Sequence, residues 1–512
     1  MKVSHRFVAS SAVFDDAHLV SCAGLVPVMT LATQTGLPKL LADKISIPEP
    51  KIRSGSANPS PKLSTLIAGM CAGAESIDDL DLVRSGGMKT LFGGVYAPST
   101  IGTLLREFTF GHARQLESVL RHHLGALCER VDLLPGSDQG AFIDIDSLLR
   151  PVYGHAKQGA SYGHTKIAGK QVLRKELSPL VTTISTPGAA PVIAGMRLRA
   201  GKTGSGKGAG RMVAQATATA RAAGVRGQLL VRGDSAYGTR AVVGACRSHG
   251  ARFSVVMSRN TAIDRAITSI DESAWTPVKY PGAVRDPDTG DWISDAEVAE
   301  IGYTAFAATK DRFTARLIVR RVKDARFRDA LLPVWRYHPF FTNTDLPTAE
   351  ADITHRQHAI IETVFADLID GPLAHMPSGC FGANSAWVLC AAIAHAPAAR
   401  RRCPGRRCKR RGPRRHAAPK DRHHPGPAGP ASTPTDPAPT QSLALDRSLA
   451  HVVAQHRRVR PTSHRNRLTT HAEQALPQTT GKAGQTSGFT LPTHHIAAKF
   501  SPNAPQQGRS TD

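Results

Sequence analysis

Leu229-Leu230-Val231-Arg232-Gly233-Asp234-Ser235-Ala236-Tyr237-Gly238 is the stretch from which the fold can be read. The apolar run within Gln228–Arg232 has the composition of a short buried strand, and it delivers Asp234 into a glycine-bounded loop. A helical pattern follows over Thr239–His249, and then a second strand pattern over Arg252–Met257. Strand, acidic loop, helix and strand in that order belong to an open α/β sheet, in which ligands bind beyond the carboxyl ends of the strands. An Asp in such a loop can equally be a helix cap.

Upstream, a β-rich series begins near Gly140 with Ala141–Leu149 and continues through Leu180–Ser185 and Val192–Leu198, with a helix predicted over Arg211–Ala223. Its first member contains Phe142-Ile143-Asp144-Ile145-Asp146-Ser147. Strand alternation puts Asp144 and Asp146 on one face, Ile143 and Ile145 on the other. Two carboxylates on one strand face repel unless a cation or solvent lies between them, so the pair is either a metal site or the solvated side of an edge strand. The strands before the strand–helix–strand unit predict a mixed α/β sheet.

Downstream, residues 259–350 are less regular, with strand-like Ala315–Val322 and the aromatic cluster Trp335, Tyr337, Phe340 and Phe341. We read them as an insertion. Helical pattern returns at Thr354–Ile369 and Asn384–His395. In the first of these, Glu362 lies one turn beyond His358 and two beyond His355. The three form a polar stripe beside Ile361, Val364, Phe365 and Leu368, which a solvated face would also produce.

Residues 15–133 read as helical. Ser60-Pro61 opens a run with Leu63, Leu66, Ile67 and Met70 at helical spacing, and Ser99-Thr100 opens another through Ile101, Leu104, Leu105 and Phe108. Between them, Ser76–Tyr96 carries a short helical signal and the breaks Gly86-Gly87 and Gly93-Gly94. Helix, turn and helix fit a DNA-binding module, and fit bundle core as well.

The 512 residues are enough for two or three domains, and their formal charge of +25 points to a polyanionic partner. Much of that excess lies beyond residue 399, where 21 Lys and Arg face 5 Asp and Glu. That stretch has no Trp or Tyr and fourteen Pro, so its composition predicts disorder. Its Arg clusters would still bind DNA without sequence preference. The eight cysteines are scattered, as reduced thiols of a cytoplasmic protein would be. Cys403 and Cys408 have no second Cys or His pair at zinc spacing. Leu19–Ala32 is short, contains Pro27 and follows Asp15 and Asp16, which argues against a membrane span or signal peptide.

A strand Asp, a strand-end Asp and a late helical Glu, 88 and 128 residues apart, together resemble the ribonuclease-H-like core of DDE transposases. Local strings carry the resemblance further. Asp144-Ile145-Asp146-Ser147 with Pro151-Val152-Tyr153-Gly154 and Lys157-Gln158-Gly159-Ala160, Arg232-Gly233-Asp234-Ser235-Ala236-Tyr237, and His355-Arg356-Gln357 leading to Glu362 look like the 1380 family of bacterial insertion sequences. So do Ala374-His375-Met376-Pro377-Ser378-Gly379 and Asn384-Ser385-Ala386-Trp387. The likeness spans about residues 10–399. Its Asp-then-Ser pattern selects Asp146 over Asp144. Where such families place an Arg one turn before the Glu and a Lys two turns after it, this chain has His358 and Ile369. The Lys would be a phosphate contact. A frameshift in a GC-rich gene would produce a tail like this one.

The resemblance implies an α/β fold in which an all-α region of 1–135 precedes a ribonuclease-H-like mixed sheet with flanking helices. The catalytic domain would comprise 136–258 and 351–399, with a β-rich insertion at 259–350 and the basic tail at 400–512. It implies two Mg²⁺ or Mn²⁺ ions held by Asp146, Asp234 and Glu362, and DNA as the partner of a homodimer, in a cytoplasmic, nucleoid-associated protein that cuts and rejoins insertion-sequence ends. Asp144, Tyr237, His355 and His358 are accessory candidates. Arg356, Lys157, Lys166, Lys170 and Arg150 are candidates for DNA backbone contact. Two other readings stand beside it. One is a DNA-binding remnant without catalysis. The other is a phosphate-loop NTPase on Gly201-Lys202-Thr203-Gly204-Ser205-Gly206-Lys207, although Gly208 follows where a Mg²⁺-ligating Ser or Thr is needed.

Overall fold

The computed structural model describes residues 20–398 apart from short internal stretches at 49–54, 56, 93, 168–169, 280–283, 286, 289–291, 294 and 328–330. The basic tail, with Cys403 and Cys408, lies outside the described residues.

Five helices come first: α1 (Leu25–Gln34), α2 (Leu37–Lys44), α3 (Pro59–Ala72), α4 (Pro98–Arg106) and α5 (Phe110–Arg130). Proline within the first turn starts α2, α3 and α4, where its missing N–H would be unpaired anyway. Helix α3 ends at Gly73, whose φ of 105° suits glycine, with Ala74 N–H returning to the Gly69 carbonyl. Thr109 caps α5 reciprocally with His112. The stretch between α3 and α4 forms two 3-10 turns, Asp78–Val83 and Gly86–Leu91. Lys62, Leu63, Thr65, Leu66, Ile67, Ala68, Gly69 and Met70 are all buried, so little of α3 is open to a DNA groove.

The strands and later helices are β1 (Gly140–Ser147), β2 (Arg150–Pro151), β3 (Ser161–Ile167), β4 (Lys170–Leu177), β5 (Leu180–Ser185), β6 (Val192–Arg197), α6 (Ala209–Ala222), β7 (Gln228–Gly233), α7 (Arg240–Ser248), β8 (Arg252–Val256), α8 (Thr261–Thr268), β9 (Thr276–Pro277), β10 (Val284–Arg285), β11 (Trp292–Ile293), β12 (Ala296–Ala305), β13 (Phe313–Lys323), β14 (Trp335–Thr342), α9 (Thr348–Arg356), α10 (Ile361–Ile369) and α11 (Phe381–Ala398). Nine strands make one sheet in the order β6-β5-β1-β7-β8-β14-β13-β12-β9. Strand β1 pairs antiparallel with β5 and parallel with β7, and β7 runs parallel to β8. This is the mixed, ribonuclease-H-like sheet that the sequence predicts.

The two faces differ as the alternation in β1 requires. Ile143, Ile145, Leu229, Val231, Phe253 and Val255 join a core with residues of α6 and α7. On the opposite face, α9 meets the sheet through Ile318, Phe340 and Ala351. Over β5 and β6 a further core joins Val181, Ile193 and Met196 to α2–α5, α10 and α11. The N-terminal helices therefore share a core with the sheet and do not stand apart.

Residues 259–350 are likewise integrated. Strands β12, β13 and β14 extend the main sheet through Phe340↔Val256, Phe341↔Val255 and Thr342↔Ser254. They cover an edge of β8 that would otherwise present unpaired backbone groups. The segments with no pattern in the sequence form β3 and β4, which make a small three-stranded sheet with β2.

Candidate active site

Asp146 stands near the end of β1, half-buried, with its Oδ1 accepting the Ser147 N–H at 2.6 Å. Asp234 follows β7 directly and is exposed. Its Oδ1 accepts the Ala236 N–H at 2.9 Å, an Asx turn, whereas the N-cap of α7 is Thr239, which accepts from Val242. The helix-cap reading of Asp234 is thereby set aside. The turn is tight, because a Cβ on Gly238 would lie 2.2 Å from the Val256 carbonyl oxygen. Glu362 is the second residue of α10 and is exposed.

These carboxylates act on one another. Burial first, and then the charges of Asp234 and Glu362, push the Asp146 carboxyl up to about 6, against the Ser147 N–H and His358, which pull it down. A cluster of acids from β1, the β7 end and α10 therefore shares one field, with His358 beside it. Among the described residues, no three His, Cys, Asp or Glu side chains already stand close enough to enclose an ion.

The accessory candidates separate. Asp144 is 1% exposed, and both its oxygens are engaged by Arg232 at 2.7 and 2.8 Å. It belongs to a buried ion pair and presents no open oxygen beside Asp146. Tyr237 is buried in the α6/α7 core. Its phenol is pushed upward by burial and by Asp146 and Asp234, with Ser147 pulling it back, so it stays protonated. His355 is buried, stacked at 4.3 Å on Phe340, and hydrogen-bonded to Ser254 Oγ at 2.9 Å. Burial above all depresses it to about 3, so it is a neutral packing residue. His358 donates from Nδ1 to the His355 carbonyl at 2.6 Å.

The single polar stripe expected of His355, His358 and Glu362 is not present. Gln357–Ile360 form a 3-10 turn between α9 and α10, and the tighter winding turns His355 into the sheet while Glu362 faces solvent.

Among the cationic candidates, Arg356 pairs with Asp352 at 3.0 Å and remains partly exposed. Lys157 lies in the loop before β3 and is half-buried. Lys166 and Lys170 sit in β3 and β4, and their side chains lie outside the described residues. Arg150 is unsuited to DNA contact, being buried with Nη2 donating to the Ala374 carbonyl at 2.9 Å.

The loop resembling a phosphate cradle is filled from inside. Arg199 donates to the carbonyls of Ser205 at 2.7 Å, Lys207 at 3.1 Å and Ser178 at 3.1 Å. A phosphate cradle needs N–H groups converging on the ligand, whereas these carbonyls converge on a cation. Ser205 Oγ meets Ser147 Oγ at 3.2 Å, which places the loop beside Asp146. Sequence reasoning missed Arg199 because nothing local marks a lone Arg after a strand. A cavity of about 750 Å³ opens at the other end of β1 and β7, lined by Phe142, Leu230, Pro347 and Thr354, away from the acids.

No curated protein matches the chain. The family model described as transposase DDE domain group 1 matches residues 5–394, from the N-terminal helices through the sheet to α11. With that match running through Asp146, Asp234 and Glu362 on a mixed, helix-flanked sheet, the chain belongs to the DDE-domain transposases.

Proposed function

We propose that the protein binds the ends of an insertion sequence and cuts and rejoins DNA with Asp146, Asp234 and Glu362. The observation that carries this reading is that three acids from distant segments share one field: Asp146, raised chiefly by its burial, is pushed up further by the charges of Asp234 and Glu362. Such a set relaxes its own repulsion by taking up cations. Its donors are all carboxylate oxygens, which suit Mg²⁺ or Mn²⁺ and not a thiolate-seeking metal. Asp146, Asp234 and Glu362 would hold two such ions, which would supply Lewis-acid assistance to phosphoryl transfer.

The chain's own residues provide the frame. Ser147 N–H fixes one oxygen of Asp146 and leaves the other for a cation. The Ala236 N–H does the same for Asp234. His358, its Nδ1 donating to the His355 carbonyl, would turn Nε2 as an acceptor toward a water beside the acids. DNA would reach the site as the substrate of a homodimer, in the cytoplasm at the nucleoid. Among the described residues no helix is long and apolar enough to cross a membrane.

Asp234→Ala tests the reading. Mg²⁺-dependent cleavage of an end-containing duplex should vanish while binding of that duplex persists, and equal loss of both would refute the division of roles. One observation favours a second reading, a protein that binds ends without cutting. Ile369, where related enzymes carry a Lys, packs against the N-terminal core. Wild-type protein that binds ends but leaves them uncut in Mg²⁺ and in Mn²⁺ would establish it.

A further inference from the structure

We propose that Arg232 is a positioning residue that sets Asp146, Asp234 and Glu362 relative to one another, an inference that rests on the catalytic reading above. Its guanidinium is 1% exposed and reaches three catalytic elements. Nε and Nη2 hold the two oxygens of Asp144 at 2.7 and 2.8 Å, and Nη1 donates to the Thr354 carbonyl at 2.8 Å. The group lies over the Phe142 ring, 4.1 Å from its centroid.

The sequence spacing turns these bonds into a device. Arg232 and Asp144 are register partners across β7 and β1. Each stands two residues before a catalytic acid, Asp234 and Asp146 respectively, so each shares the strand face that leads to it. Thr354 belongs to α9, just before the 3-10 turn Gln357–Ile360 that leads into α10 and Glu362. One planar fork therefore fixes the lateral register of two strands and the seat of the helix that brings the third acid. Arg suits this and Lys does not, because only the guanidinium presents several donors in a fixed plane. His355, one residue past Thr354, adds a second fastening through Ser254 and Phe340.

Stability is a weak explanation of the pair. Buried ion pairs are often matched or exceeded by apolar replacements of similar volume, since desolvation offsets the Coulombic gain. A geometric role remains, and geometry is what a carboxylate site for phosphoryl transfer is sensitive to.

The decisive variant is the double replacement Asp144→Leu with Arg232→Met, made in the full chain beside Arg232→Lys. Four measurements on each suffice: thermal transition, affinity for an end-containing duplex, single-turnover cleavage in Mg²⁺, and the upward shift of the thermal transition by Mn²⁺ alone. The double variant should melt at or above the wild-type temperature and bind the duplex normally. Its cleavage should fall on the order of 100-fold, the penalty for a misplacement of about 1 Å, and its Mn²⁺ shift should shrink. Arg232→Lys keeps the charge beside Asp144 but loses the Thr354 arm, so it should show the same signature in weaker form. A double variant that cuts and shifts like wild type overturns the proposal, and so does one that loses its thermal transition, since the pair is then a plain stabiliser. If wild type itself neither cuts nor shifts with Mn²⁺, the catalytic reading fails and takes this inference with it, an outcome separate from the first two.

Discussion

Asp146 is held at a disadvantage by its burial and its acidic neighbours. Its carboxyl is raised from 3.8 to about 6, so between those values the folded state binds more protons than the unfolded state. Stability is therefore lost as pH climbs through that window and stays low above it. Asp146→Asn removes the burdened charge. At pH 8 without divalent metal it should raise stability by about 1–3 kcal/mol, with the gain fading as pH falls from about 6 toward 4, while cleavage is abolished. Denaturant titrations at pH 8 and pH 4 check this, and a variant that is no more stable at pH 8 would show that neither burial nor the neighbouring acids burden Asp146. Arg199 makes a different residue-scale point. Its bonds to the carbonyls of Ser205, Lys207 and Ser178 show why a Gly-and-Lys spacing cannot identify a nucleotide site. The spacing is a property of the string, whereas cradle or plug is decided by where the carbonyls point.

At the scale of elements, Phe341 joins the strands of residues 259–350 to β8. It is fully buried, with the rings of Phe253 at 5.3 Å, Tyr303 at 6.1 Å and Phe313 at 6.3 Å. Phe341→Ala should cost about 3–5 kcal/mol, read as a lowered denaturant midpoint. The loss should appear in a single transition, because the aromatic cluster belongs to the main core, and an early separate step would mean that the insertion melts alone. The strands β1, β5, β6, β7 and β8 were legible in the sequence almost to the residue, since each is a short apolar run with its own stops. Helices α6 and α7 were legible for the same reason. What stayed hidden is non-local. The pairing of β14 with β8 depends on partners 84 residues apart, such as Val256 and Phe340, and no periodicity records it. The Asp144–Arg232 pair was hidden likewise, so Asp144 read as an accessory candidate on a metal-binding or solvated strand face when it is a buried counter-ion. The 3-10 turn at Gln357–Ile360 escaped because its residues fit a continuous helix equally well.

Across the whole molecule, α11 closes the fold. Trp387, Val388, Leu389, Cys390 and Ile393 are buried in the core that α2, α3, α4 and α5 also form, so the first helices have no complete core until the last is in place. A chain ended after Gly379 should fail to give a cooperative thermal transition, whereas one ended after Ala399 should keep it. The shorter loss should also flatten the salt dependence of non-specific DNA binding, by roughly one unit of slope per phosphate contact removed with the Arg clusters beyond residue 399. An unfolded 1–399 chain would instead assign the tail a part in the core. This ordering has a consequence for synthesis. The ribosome must make α11 before α3 and α4 can bury their apolar sides, so the nascent chain carries an open helical surface through most of its translation. At least 114 residues follow Ala398, and at about 5–20 residues per second their addition takes on the order of 6–20 s. Over that interval residues 20–398 stay tethered to their own message and to the ribosome that reads it.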